Sequence, residues 1–255
     1  MVKKKRLILL LYLVVFTFVA SLKTFAQEKR KSSHDLKNTI HFNITNPIIF
    51  GNRSLIFGYE RVINKHQSFS VNVGTNGFPK FGLIDSDSVR MYRQLKETGI
   101  NISGDYRFYP AKENKHAAPR GVYFGPFYSF NSYGRRNSWT VTSTDGSTVD
   151  AATDTKLNIH TLGIELGYQF VFWNRLAVDM ILIGPGVSRY GLKASLGSNL
   201  SQEDKEKLFE KINEALADKF PGYNFVVKEG EFKRTGAVNT VSFGYRYMIQ
   251  VGFRF

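Results

Sequence analysis

Five histidines, His34, His41, His66, His116 and His160, and no cysteine bound the chemistry open to this 255-residue chain. Without cysteine there is no thiolate nucleophile, no thiolate metal site, no disulfide scaffold and no lipoprotein anchor. Among the histidines only His160, in Ile159-His-Thr-Leu162, stands at the distal end of a patterned segment. Thr161 follows it, so it lacks the His-x-Ser pairing that would suggest acyl chemistry. A single histidine without an adjacent nucleophile or orienting acid reads as a polar surface residue. HExxH, P-loop, strand–helix GxGxxG and DxDxDG calcium-loop patterns are all missing from the sequence. No catalytic residue, no metal and no cofactor is therefore expected.

A second set of residues carries charge in unusual company. Glu60, Asp105, Arg107, Glu165, Asp179, Arg246 and Arg254 each interrupt a segment in which apolar and polar residues alternate. On a strand, alternate side chains point to opposite faces. All seven then lie on the polar face. Four acids against three bases is close to balance, as expected where charges are buried and must be paired. The chemistry this set suggests is a structural salt-bridge network; a gated pore or a ligand site is the competing reading. Glu165 and Arg246 are expected to pair.

The elements that must hold these residues follow from the period. In the last segment Val241, Phe243, Tyr245, Tyr247, Ile249, Val251, Phe253 and Phe255 take every odd position, with Ser, Gly, Arg, Gln and one Met between them. The same alternation appears around 40–44, 55–60, 69–74, 100–108, 162–170 and 176–183, while 121–130 is aromatic on both faces and cannot be oriented. That makes eight strands. The intervals 63–67, 110–120 and 172–175 are short, and 46–53, 79–98, 131–156 and 189–236 are mostly longer. Long and short intervals alternate along the chain, so in an up-and-down barrel the long loops gather at one end and the termini at the other.

Period two does not say which face is inside. A soluble sandwich or lipocalin-like barrel would bury the apolar face. Three features favour the reverse. The polar faces are small or oppositely charged, the chain ends in an aromatic on the apolar face, and aromatics crowd the strand ends (Tyr59, Phe69, Phe108, Tyr109, Phe170, Trp173, Phe253, Phe255) as interfacial girdles do. The fold expected is all-β: an eight-stranded antiparallel up-and-down transmembrane β-barrel over 37–255, with one helix in the last extracellular loop.

That helix starts at Ser201-x-x-Asp204 and carries Leu208, Ile212, Leu216 and Phe220 at i, i+4, i+8 and i+12 before Pro221-Gly222. It is expected to pack on its own loop or to cap the barrel mouth. The stretch 137–154, rich in Ser, Thr, Gly and Asp, reads as a mobile exposed loop, with Arg135-Arg136 at its base.

The first residues read as an export signal. Lys3, Lys4, Lys5 and Arg6 precede an apolar run from Leu7 to Ala20, too short for the roughly 20 residues that span a bilayer. Thr24 and Ala26 suit cleavage before Gln27, leaving 27–36 as a periplasmic tail. Removing residues 1–26 takes away five basic residues and no acid, so the net charge falls to 14 − 5 = +9. The remaining basic residues are scattered rather than interleaved with stacking aromatics, which argues against nucleic acid as a partner.

The final strand, Val241 to Phe255, resembles the C-terminal recognition strand of bacterial outer-membrane barrels. The resemblance implies that Tyr247, Val251, Phe253 and Phe255 form a signal for the barrel-assembly machinery. Leu55-Ile-Phe-Gly-Tyr-Glu-Arg-Val-Ile-Asn-Lys65, Tyr106-Arg-Phe-Tyr109 and Gly121-Val-Tyr-Phe-Gly-Pro126 are similar to small barrels of Bacteroidota, of the general OmpA, OmpX and OmpW kind. These motifs are specific for architecture and weak for activity. The function expected is a non-enzymatic outer-membrane protein with a structural or surface-interaction role and a plugged lumen. Its partners would be outer-membrane lipid and lipopolysaccharide. A small porin-like pore or carrier and a lipid A-modifying enzyme are the alternatives.

Overall fold

The computed structural model describes residues 36–77, 89–142, 146–196, 200–219 and 237–255. The expected export signal (1–26) and nearly all of the tail (27–36) lie outside them. Eight strands run antiparallel in chain order and close into a barrel: β1 (Asn38–Asn43), β2 (Ile56–Asn64), β3 (Gln67–Thr75), β4 (Val89–Phe108), β5 (Gly121–Thr142), β6 (Thr148–Phe172), β7 (Leu176–Leu196) and β8 (Ala237–Arg254). β8 pairs with β1, Phe253 opposite Ile40, so no free edge is left at the seam.

The register fixes the stagger. From Ile40 the neighbours run Tyr59, Val71, Gly104, Tyr128, Leu162, Val187 and Phe243. Ile40 itself pairs with Phe253, so the shear is 253 − 243 = 10. Ten residues of stagger over eight strands corresponds to a strand tilt of about 40°.

Strand lengths differ from the expected pattern. β1, β2 and β3 are short, whereas β4 to β8 continue well past them. The intervals 79–98 and 131–156 had the composition of loops. Of the first, Val89 onward is strand; of the second, all but 143–147 belongs to the β5–β6 hairpin. Trp139, Val141, Ala151 and Leu157 are buried on the inward face of this hairpin together with the polar Arg135, Asn137, Thr153 and Thr155, while Arg136, Asp154 and Lys156 are exposed on the outward one. Residues 137–142 and 148–154 are thus paired strands of one hairpin, not the exposed loop expected from their composition. β7 likewise runs on to Leu196.

Two helices lie in the connections among the described residues. α1 (Thr45–Phe50), which the apolar period does not announce, follows β1, and its Thr45 Oγ1 accepts a hydrogen bond from the Ile249 amide at 2.8 Å. α2 (Gln202–Lys219) is the expected helix. Ser201 caps it: its hydroxyl accepts from the Asp204 amide at 3.1 Å and donates to the Asp204 carboxylate at 2.6 Å. Leu208 and Ile212 are buried as the stripe requires, and Phe209 joins them. Phe220 lies outside the described residues. No helix among the described residues is long and apolar enough to cross a membrane, which says nothing of strands.

The two faces of the sheet differ sharply. Below the level of His160, the outward face is apolar: Phe57, Val73, Ile102, Phe124, Leu162, Ile164, Val187, Phe243, Tyr245 and Ile249 are all exposed. The inward face there is polar, with Thr39, His41, Asn43, Ser70, Asn72, Gln169 and Gln250 buried. Above that level both faces change. The inward row Ser129, Thr161, Ser188 gives way to Ile159 and Tyr190, then to Tyr133, Leu157 and Leu192. Tyr128, Leu162, Val187 and Phe243 form an outward row, and two rows higher stand Ser132, Asn158, Gly191 and Asn239. The apolar upper interior is where α2 docks, Leu208, Phe209 and Ile212 packing in one cluster with Trp139, Val141 and Leu192.

Candidate functional site

The polar lower interior is organised around Arg107. β4 delivers it to the inward face, where its side chain is fully buried. Its Nε donates to Asp105 at 2.6 Å, Nη1 to Gln169 Oε1 at 3.2 Å and to Glu60 at 3.5 Å, and Nη2 stands 2.9 Å from Asp179. Its guanidinium also lies over the Tyr123 ring, 4.4 Å from the centroid. Four strands converge here: β2 gives Glu60, β4 the Asp105–Arg107 pair, β6 Gln169 and β7 Asp179. Arg107 reaches strands that are far apart in order because the barrel is narrow and closed.

Glu60 is the most heavily solvated carboxylate by protein groups. Ser68 Oγ donates to it at 2.7 Å, Gln169 Nε2 at 3.0 Å and the Tyr109 hydroxyl at 3.3 Å, and His41 Nε2 lies 3.3 Å away. Asp179 accepts from the Tyr123 hydroxyl at 2.7 Å. Small residues make the space for these large ones. A Cβ on Gly167 would run into the Tyr123 ring, and one on Gly252 would press on the His41 imidazole.

A second node sits higher. Arg246 Nη1 donates to Glu165 at 2.9 Å and Nη2 to Asp105 at 3.4 Å, and its guanidinium stands 5.1 Å from the Phe127 centroid. Asp105 thus links the two arginines. Arg254 is buried at the lower end, where Nη1 donates to the Asn174 carbonyl at 3.2 Å. All seven charges named from the sequence face inward, and six of them are joined through Arg107 and Arg246.

Five members of the network were not identified by charge: His41, Ser68, Tyr109, Tyr123 and Gln169. His41, Ser68 and Gln169 lie on the inward parity of their strands, which is the signal that finds them. Tyr109 had been grouped with the aromatic girdle. It is instead buried, its ring 5.5 Å from that of Tyr123, because its hydroxyl is within reach of Glu60. Tyr123 sits in the strand whose two faces are both aromatic, so its direction is visible only in three dimensions.

Tyr247, Phe253 and Phe255 are exposed on the outward face of the closing strand, with Val251 half-buried in the same row. His160 also faces outward; the Tyr128 hydroxyl is 2.9 Å from its Nδ1, and its ring packs 4.7 Å from that of Phe130. Nothing among these contacts positions a nucleophile. No cluster of three or more metal-ligating side chains occurs among the described residues. No family model matches the chain, and no curated protein matches it.

Proposed function

We propose that this chain is a non-enzymatic outer-membrane β-barrel, exported with cleavage before Gln27, whose lower lumen is closed by a salt-bridge network and whose upper mouth is capped by α2. Its role is structural or one of surface interaction through the tall β4–β8 wall. The observation that carries this reading is the exchange of polarity on both faces of the wall at one level. A sheet that is apolar outside and polar inside suits hydrocarbon outside. The same sheet a few residues further up, polar outside and lined inside by the apolar cluster of Tyr133, Trp139, Leu157 and Leu192 with a minority of buried polar residues, suits water outside. A soluble barrel has no reason to invert.

The dimensions agree. The outward apolar run on β6 from Leu162 to Phe172 measures roughly 33 Å along the strand at 3.3 Å per residue and roughly 25 Å in height at a tilt near 40°. Trp173, fully presented at the turn below it, and Phe253 and Phe255 on the neighbouring strand fit the lower interfacial girdle. The likeness of the last strand to the outer-membrane recognition strand points the same way.

The interior speaks against free conduction. Arg107, Arg254, Tyr109, Tyr123 and Phe127 all fill it and are fully buried, as expected where eight strands leave room for little beyond side chains. The decisive experiment is fractionation of cells that express the full chain. The mature protein should float with outer membranes, begin at Gln27, migrate differently on gels when unheated, and conduct poorly in planar bilayers. Recovery as a soluble periplasmic protein would overturn the reading, and steady large channels would replace the plug by a pore.

A further inference from the structure

Resting on the membrane reading above, we infer that the outer wall of β5, β6 and β7 carries a site for the phosphate of an anionic outer-leaflet glycolipid, held by Lys156 and Lys193 with Arg189 below them. The first observation is a like-charge pair. Lys156 and Lys193 are direct cross-strand partners, both exposed on the outward face. Like charges placed directly opposite destabilise a sheet, and neither lysine has an ion-pair partner among the described residues. The next outward position below Lys193, past Gly191, is Arg189, also exposed and unpaired among them. Three exposed cations therefore follow one another up this wall with no ion pair to any described residue.

The carboxylate that lines the same groove is already engaged. Asp154 is held by Arg136 through two hydrogen bonds of 2.7 Å. This pair forms one wall of a groove of about 570 Å³ that Lys156 and Lys193 line together with Ser132, Gly134 and Ser195. Gly134 is the β5 neighbour of Lys156, and the Thr98 hydroxyl, which also lines the groove, reaches over it. The groove offers two ammonium groups and hydroxyls around an open concavity, a donor set for phosphate oxygens.

The second observation is position. The cations begin at Arg189, in the row where the outward face stops being apolar, and Leu162 and Val187 lie just beneath. A lipid whose acyl chains cover Leu162, Ile164 and Val187 places its headgroup against Arg189 and the lysines. A free anion would have no use for that adjacency. The occupant is therefore a phosphorylated lipid and not a soluble phosphate.

The test uses the refolded mature chain and its Lys156→Ala/Lys193→Ala variant. Each is placed in phosphatidylcholine vesicles alone, with phosphorylated lipid A, with dephosphorylated lipid A, or with inorganic phosphate in the buffer. Flotation reports insertion, and the thermal unfolding midpoint together with native mass spectrometry reports bound lipid. Phosphorylated lipid A should raise the midpoint of the unaltered chain and stay bound to it. Its affinity should fall roughly tenfold or more for the variant, the size of one lost charge-assisted hydrogen bond. In plain phosphatidylcholine the sign should reverse, the variant being equal or more stable because the opposed charges are gone. Equal retention by both proteins, equal stabilisation by dephosphorylated lipid A, or stabilisation by inorganic phosphate alone would overturn the site. A chain that inserts and binds no lipid A overturns the site but leaves the membrane reading standing; a chain that never floats with vesicles overturns both.

Discussion

Arg107 faces three carboxylates, Glu60, Asp105 and Asp179, and all four side chains are fully buried. Removing it leaves those acids without their shared cation, and breaking a buried pair of this kind costs about 3–5 kcal/mol. Arg107→Ala should therefore lower the unfolding midpoint in detergent far more than removal of any surface cation. Arg246→Glu should be comparably harmful, since it sets a third acid against Glu165 and Asp105; a variant that keeps full heat resistance would show that the contact is idle. The exposed pair behaves differently. Its hydrogen bonds to Arg136 hold the Asp154 carboxyl below the ordinary aspartate range. A carboxylate whose folded value is lowered contributes stability above its unfolded value, about pH 3.9, and loses that contribution as pH falls through the lowered one. Carboxyl NMR of Asp154 should show the lowered midpoint, and Arg136→Gln should return it toward the ordinary value with little change in overall stability.

The elements divide the labour between a short wall and a tall one. β1 to β3 reach only as high as the apolar belt, and the extension of β4 to β7 above it is stable only if its inner face is covered. α2 supplies that cover with Leu208, Phe209 and Ile212. Truncating a fully buried leucine costs about 2–5 kcal/mol. Leu208→Ala should accordingly loosen α2 and expose the β5–β6 hairpin to protease, while the lower barrel keeps its heat-dependent gel shift. The two tryptophans report on these parts separately. Trp139 is buried on the inner face and donates to Thr153 Oγ1 at 2.7 Å, whereas Trp173 is 86% exposed at a turn. Trp173 and Asn174 both take positive φ in this three-residue connection, where the Arg175 amide donates to the Phe172 carbonyl at 3.1 Å.

At the scale of the whole molecule, closure decides both stability and surroundings. With every strand paired on its way round and the interior filled, the apolar outer belt is left without cover by any described residue. In a bilayer the belt is buried and backbone groups are satisfied within the sheet. A Trp139→Phe variant leaves Trp173 as the sole tryptophan. In vesicles its fluorescence should be quenched by lipids brominated near the headgroup and little affected by those brominated at the chain end. Quenching by aqueous iodide as complete as in a free peptide would place the turn in water and sink the membrane assignment.

Alternation determined which residues share a face, and hence that the seven charges from Glu60 to Arg254 lie on the polar face of their strands; the antiparallel order came from the alternation of long and short intervals, and the choice of the polar face as the inner one from the aromatic strand ends. Alternation fixes the faces because a strand's side chains reverse direction at every residue, whatever lies on either side. The cap of α2 was readable for a similar reason, since Ser201 and Asp204 act within one turn. Three things waited for the tertiary structure. The Glu165–Arg246 pair is the one expected from the sequence, and it forms at 2.9 Å, but which acids Arg107 meets depends on the stagger of ten, which carries it across the lumen to Asp179; no local pattern encodes that distance. Tyr109 and Tyr123 turned inward because Glu60 and Asp179 were there to receive their hydroxyls, whereas an aromatic at a strand end is equally suited to an outer girdle. The hairpin 137–154 kept the same two-residue period but exchanged the chemistry of its faces, so composition made it look like a loop. Period reports direction within one strand; what lies in that direction is fixed only when the other seven strands close around it.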